Sequence, residues 1–148
     1  MADSDTPTKF EEVYKAFLDS IDSYDFAKVD DDELEDVLWG YLDHARIQFL
    51  TYYKDLSDVD MDKKQFNIHL NPAEVAILAK GMKLEWVSQT KHSEDLMKKA
   101  IGDRDYTAIQ GYRYLEDLSA MEKQLQKEIK TWINTYEYSM SDLYEDML

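Results

Sequence analysis

The chain contains no cysteine, only two prolines and four glycines. The absence of cysteine excludes disulfides, thiol catalysis and cysteine-ligated zinc sites. The scarcity of turn residues favours helices over a β fold with many turns. No apolar run approaches the roughly 18–20 residues that span a bilayer, and the acidic N-terminus lacks the basic and apolar regions of a signal peptide. We therefore expect a soluble, helical protein made inside the cell.

Sequence patterns that carry enzymatic chemistry are also missing. There is no HExxH pair, no GxSxG elbow and no glycine-rich phosphate loop. Asp58, Asp60 and Asp62 imitate the first ligand positions of an EF-hand loop, but Lys63 replaces the required glycine and His69 the bidentate glutamate. The sequence predicts no catalytic residue, no cofactor and no metal site, and hence a protein that is not an enzyme. A small enzyme with a site built from Asp, Glu, His and Tyr remains the rival in that class.

Acidic residues are abundant and unevenly placed. The net charge is −15, and residues 1–62 hold 18 acidic against 5 basic residues, whereas residues 63–148 hold 14 against 12. Such a one-sided excess indicates a surface that repels nucleic acid or meets a basic partner. Direct DNA binding is disfavoured, because no basic stripe with interleaved aromatic residues is present to release counterions.

Two amphipathic helices are predicted in the first third of the chain. The first has a capping box from Thr8 to Glu11 and apolar residues at helical spacing: Phe10, Val13, Tyr14, Phe17, Leu18 and Ile21. The second begins at the acids Asp30–Glu33 and carries Leu34, Val37, Leu38, Tyr41, Leu42, Ala45 and Phe49, ending near Tyr53. We expect Gly40 to permit a close helix crossing.

Residues 54–70 interrupt the helical pattern and hold four aspartates. Polar and apolar residues alternate from Gln65 to Leu70, which predicts a long loop with a short strand or hairpin. Asn71, Pro72 and Glu74 then form a strong helix start. The helix that follows is apolar on more than one face, so we expect it at the centre of the bundle.

The C-terminal third predicts a short helix over Ser93–Ile101, ended by Gly102, and a long helix from about Tyr106 to Tyr138. Its predicted core positions are Ile109, Tyr112, Leu115, Leu118, Leu125, Ile129, Trp132, Ile133 and Tyr136. The last residues repeat the amphipathic spacing and form a predicted docking tail: Tyr138, Met140, Leu143, Tyr144, Met147 and Leu148. This tail either folds back as a short helix or docks on another subunit.

Together these patterns predict an all-α bundle of about four to five helices, with a long C-terminal helix and a long loop or short hairpin at 54–70. We expect a disordered acidic arm over residues 1–8, one helical domain over 9–138 and an interaction tail over 139–148.

The central helix resembles a pattern in the head–tail connector (neck adaptor) proteins of tailed bacteriophages. The resembling residues are Leu70, Glu74, Leu78, Ala79, Met82, Glu85 and Trp86, together with the Ala-Arg-Ile-Gln-Phe run at 45–49 and the order of the predicted helices. The resemblance covers residues 9–138 and rests on apolar, structural positions.

The resemblance implies a structural virion protein of the neck, assembled in the host bacterial cytoplasm. Its partners would be further copies in a ring, the portal protein and another neck or tail-completion protein, and double-stranded DNA would pass through without specific binding. The acidic loop would then face the channel through Asp55, Asp58, Asp60 and Asp62. The alternative is an acidic DNA mimic that inhibits a DNA-binding protein.

Overall fold

The computed structural model describes residues 6–21, 30–49 and 54–147, with side chains through Thr135. Within these ranges five helices and one small hairpin are present: α1 (Phe10–Asp19), α2 (Asp31–Ile47), β1 (Val59–Asp60), β2 (Gln65–Phe66), α3 (Pro72–Ile101), α4 (Asp103–Gln110) and α5 (Tyr114–Met147). The two strands pair antiparallel. The predicted all-α bundle with a hairpin in the 54–70 loop is therefore confirmed.

Helix α3 is the centre of the bundle and contacts α1, α2, α4 and α5. It begins as predicted: Asn71 Oδ1 accepts the backbone N–H of Glu74 at 2.9 Å, and Glu74 Oε1 accepts that of Asn71 at 2.9 Å. The helix continues unbroken to Ile101, so the prediction of a separate short helix over Ser93–Ile101 is wrong. No glycine or proline lies between residues 82 and 101 to interrupt its hydrogen bonds.

Helices α3 and α2 approach closely at Gly81 of α3, where a Cβ atom would lie 3.0 Å from the Cβ of Ala45 on α2. The expectation that Gly40 provides this crossing is wrong, because a Cβ at Gly40 would meet nothing within 4 Å. Val37, one turn before Gly40, is 39% exposed, so the buried stripe of α2 is narrower than predicted. Residues Leu38, Tyr41, Leu42 and Ala45 form it.

The first helix begins one residue later than the predicted capping box. Lys9 is the N-cap, and its backbone N–H donates to Glu12 Oε2 at 2.9 Å. Thr8 is buried and bonds to the hairpin and to Leu70 instead: Phe66 N–H donates to Thr8 O at 2.8 Å, and Leu70 N–H donates to Thr8 Oγ1 at 2.8 Å. Residues 6–8, which belong to the expected disordered arm, run beside the hairpin as a third extended segment. Residues 1–5 lie outside the described residues.

The predicted long helix from Tyr106 to Tyr138 is divided in two. Gly111 has a φ of 84°, a conformation that ends α4 and separates it from α5. Two predicted core residues beside this break are exposed, Ile109 at 64% and Tyr112 at 70%. Tyr106 is buried instead and donates from its hydroxyl to Glu94 Oε2 at 2.8 Å, which attaches α4 to α3. Leu118, Leu125 and Ile129 of α5 are buried, as predicted.

The Gly81 crossing gives a first prediction. Gly81→Ala should lower the free energy of unfolding by about 1–2 kcal/mol, because overpacking against Ala45 outweighs the gain in helix propensity. Gly40→Ala, the matched control, should raise it by up to about 1 kcal/mol. Urea denaturation followed by circular dichroism measures both. If Gly81→Ala stabilised the protein as much as Gly40→Ala does, the close crossing would be refuted.

The docking of α4 gives a second prediction. Burial, then the hydrogen bond to Glu94, raises the pKa of Tyr106 to about 12. An unfolded tyrosine ionises near pH 10, so the stability that Tyr106 contributes is complete below pH ~10 and is lost as the pH rises to about 12. Tyr106→Phe should cost about 1–2 kcal/mol at pH 7. The free energy of unfolding of this variant, measured with urea, should also fall less between pH 9 and 11 than that of the unmodified protein. An equal fall in both proteins would contradict the assignment.

Candidate interaction surfaces

The acidic loop is a folded hairpin in which three aspartates hold the turns. Asp60 Oδ1 accepts the backbone N–H groups of Asp62 and Lys63, both at 3.0 Å. Asp55 accepts the backbone N–H of Ser57 at 3.0 Å, and Asp58 accepts the Asn67 amide at 3.0 Å. The hydrogen bonds from the Ser57 hydroxyl and backbone hold the pKa of Asp55 below its usual range. These acids therefore have a structural role in addition to their charge, and the prediction that they face a channel stays a prediction.

The hairpin is tied to the body by cations. The Lys64 ammonium lies 2.7 Å from Glu35 of α2, and this hydrogen bond raises the pKa of Lys64. Arg46 donates to the carbonyl of Leu56 at 2.8 Å, and its guanidinium lies 5.2 Å from the ring centroid of Trp39. Lys64 lies in the hairpin and contacts Glu35 of α2, whereas Arg46 lies on α2 and contacts Leu56, which precedes β1. The two cations therefore fix the hairpin to this helix.

A buried ion pair secures the base of the hairpin. Lys54 Nζ lies 2.7 Å from Glu74 Oε1 and also donates to the carbonyl of His69 at 2.9 Å. Glu74 is 2% exposed, and the same oxygen accepts the Asn71 N–H at the start of α3. The Glu74 carboxylate, in the first turn of α3, thus connects Lys54, which precedes the hairpin, with Asn71, which follows it. Sequence reasoning identified Glu74 as a helix cap and missed its ionic partner, since no local pattern relates positions 54 and 74.

The tip of the hairpin presents an exposed methionine between two acids. Met61 is 51% exposed, and Asp60 and Asp62 flank it. Sequence reasoning singled out the aspartates and missed Met61, although an apolar residue between acids in a loop was a visible signal.

A groove of about 450 Å³ lies between α1, α3 and α5. Small and apolar side chains line its interior: Ala16, Ala76, Ala79, Met121 and Leu125. Lys80 and Lys83 of α3 stand beside them. Lys80 pairs with Glu128 at 2.9 Å, and Lys83 donates to the carbonyl of Ser20 at 3.3 Å. Glu128 and Gln124 also line the groove, so its charged side chains are two lysines and one glutamate around an apolar interior.

Helix α5 continues past the start of α3. The two helices run antiparallel, because Lys80 pairs with Glu128 and Ser88 donates to Glu122 at 2.8 Å. With this register, Pro72 lies near the level of residue 136, so about 11 residues of α5 extend roughly 16 Å beyond it at 1.5 Å per residue.

The predicted docking tail occupies this end of α5. Residues 139–147 continue the helix, so the alternative in which the tail folds back on the domain as a separate short helix is wrong. The side chains of Tyr138, Met140, Leu143, Tyr144 and Met147, and all of Leu148, lie outside the described residues, and their docking role stays a prediction.

Among the side chains that the structure describes, no group of three His, Asp or Glu residues is placed to hold a metal ion. Asp58 and Asp60, the first two positions of the EF-hand imitation, bond to Asn67 and to the turn backbone. No helix in the described ranges is long and apolar enough to cross a membrane. No protein-family model, curated protein or solved structure matches this chain.

The buried ion pair yields a third prediction. Glu74→Gln keeps the hydrogen-bond acceptor for Asn71 but removes the buried carboxylate charge that pairs with Lys54, so the free energy of unfolding should fall by about 3 kcal/mol. Glu128→Gln removes the acid of a more exposed pair and should cost less than about 1 kcal/mol. Urea denaturation compares the two. Equal losses would show that burial gives the Lys54–Glu74 pair no special importance.

Proposed function

We propose that this protein is a non-enzymatic structural subunit of a bacteriophage neck, a head–tail adaptor that forms a ring below the portal. The observation that carries the proposal is the end of α5, which continues as a helix about 11 residues beyond the level of Pro72. This end carries apolar residues at helical spacing, which suits docking into a groove of another subunit. A bundle that only had to cover its own core would have no use for such an extension.

The residues that resemble the adaptor family support this proposal through their position in the fold. Leu78 and Met82 are buried on α3, and Leu70 is buried just before that helix begins; all three belong to the hydrophobic core. Glu74 pairs with Lys54, and Glu85 lies 3.5 Å from His44 of α2. The resembling positions are thus those that join α2, the hairpin and α3 into one body. A shared framework of this kind is what a structural resemblance requires.

The charge distribution suits a wall past which DNA slides. Exposed acids lie on the first turn of α2, at Asp31, Asp32 and Glu33, and on the hairpin. Acids that face a channel repel phosphates and keep DNA from binding, whereas a basic wall would hold it. In this proposal the partners are other copies of the chain, the portal and a further neck or tail-completion protein, and the site of action is the neck of the virion.

The proposal predicts assembly with the portal protein of the same phage. The purified protein mixed with that portal should give an added ring of density in electron micrographs and a faster-sedimenting complex. Leu143→Asp/Tyr144→Asp, in the end of α5, should reduce the bound fraction at least about tenfold, because charge in an apolar contact is costly. Tyr112→Asp, at an exposed site on the α4–α5 turn, should bind normally.

Failure of the unmodified protein to associate with the portal would overturn the proposal. Salt-sensitive capture of a basic DNA-binding enzyme, with loss of its activity, would instead support the acidic DNA mimic. Circular dichroism of each variant verifies that loss of binding does not reflect unfolding.

A further inference from the structure

We propose that the hairpin tip of one copy docks in the α3–α5 groove of a second copy, so that subunits associate head to tail. This inference rests on the proposed ring and names the surfaces that would build it. The tip consists of Asp60, Met61 and Asp62, and the groove is the one lined by Ala76, Ala79, Met121 and Leu125 beside Lys80 and Lys83.

The two surfaces are complementary in both polarity and charge. The groove offers an apolar interior to the exposed Met61 side chain, and methionine adapts readily to irregular apolar surfaces. The aspartates on either side of Met61 would meet Lys83 and Lys80, the second of which also pairs with Glu128 in the same lining. Lys127, which is exposed on the neighbouring stretch of α5, adds a further positive charge there. Opposite charges around a small apolar contact give orientation and a faster encounter.

The tip is held away from the groove of its own chain. Hydrogen bonds from Phe66 to Thr8 and from Phe10 to Lys64 fix the hairpin to the start of α1. The groove lies at the other end of this helix, where Ala16 and Ser20 line it. Ten residues of α-helix separate Phe10 from Ser20 by about 15 Å. With Lys64 also paired to Glu35, the groove is better placed to receive the tip of a neighbouring copy.

A contact between two different surfaces repeats from one subunit to the next. Each copy has one tip and one groove, so a pair of bound copies still offers one free tip and one free groove. Such heterologous contacts form rings when the rotation between subunits closes and filaments when it does not. The geometry is therefore the kind that a ring requires, whereas a two-fold contact would stop at a dimer.

Disulfide trapping tests the contact directly, because the chain has no cysteine of its own. A Met61→Cys variant is mixed with a size-tagged Met121→Cys variant at high protein concentration and low salt, then oxidised mildly. A disulfide needs the two Cβ atoms within about 3.5–4.5 Å, so covalent heterodimer should exceed that of the control pair several-fold. The control replaces Met121→Cys with Leu96→Cys, at an exposed position of α3 that does not line the groove. Equal or absent heterodimer would overturn the inference.

Charge exchange gives a second, independent measurement. The tip variant is Asp60→Asn/Asp62→Lys, in which the asparagine side chain still has an oxygen to accept the turn hydrogen bonds. The groove variant is Lys83→Glu. Each variant alone should raise the concentration for half-assembly at least about tenfold, because like charges then oppose each other. A mixture of the two should recover assembly in part, through the pairs in which the changed tip meets the changed groove. Glu116→Lys, an exposed change at the start of α5, should leave assembly unaltered.

The outcomes separate this inference from the proposed function. If rings form on the portal but the tip and groove variants assemble normally and no heterodimer is trapped, the tip–groove contact is wrong and the adaptor proposal stands. If the heterodimer forms but the portal is not bound, the contact stands and the adaptor proposal fails. If Met121→Cys is trapped by an added portal that carries surface cysteines, and not by Met61→Cys, the groove belongs to the portal and the inference is overturned.

Discussion

The arrangement of this protein depends on one buried carboxylate. Glu74 caps the central helix, and its Oε1 atom also binds the ammonium of Lys54, which in turn donates to the carbonyl of His69. The two chain ends of the hairpin are therefore held against the first turn of α3. Because an unpaired buried charge is costly, the pair resists separation. Movement of the hairpin relative to the helices would require breaking it, so the acidic tip is carried by a fixed base.

Acidic residues consequently have two functions in the same molecule. Asp30 caps α2, and Asp60 and Asp55 close turns in the hairpin, so part of the negative charge serves local backbone structure. The same residues leave a charged surface on one side of the bundle, while Lys80 and Lys83 stand beside the α3–α5 groove. The same acidic side chains thus hydrogen-bond to the backbone and give the surface its negative charge.

Helix type and order followed from local spacing, because apolar periodicity and capping are properties of neighbouring residues. The Asn71 cap and the hairpin near 54–70 were predicted on those grounds. The errors arose where tertiary contacts decide. The sequence does not indicate whether Gly81 or Gly40 lies at a helix crossing, because the difference between them is the contact of Gly81 with Ala45 on another helix. Thr8 fits a capping box but bonds to Leu70, 62 residues away. Gly111 could have indicated the break before α5, whereas the Lys54–Glu74 pair and the groove between three helices leave no local signal.

The position of the surfaces limits how copies can associate. The acidic tip belongs to a hairpin tied to the start of α1 and α3, the groove lies at the end of α1, and α5 continues beyond the level of Pro72. These three features lie in different places and differ in chemistry. The tip is charged with one apolar residue, the groove is apolar beside lysines, and the end of α5 is amphipathic. A contact between unlike surfaces leaves the third free for a different partner. In the proposed assembly, a subunit with this layout would bind its neighbours through the tip and groove, and the end of α5 would meet a separate protein, which is the division of contacts that an adaptor between two assemblies needs.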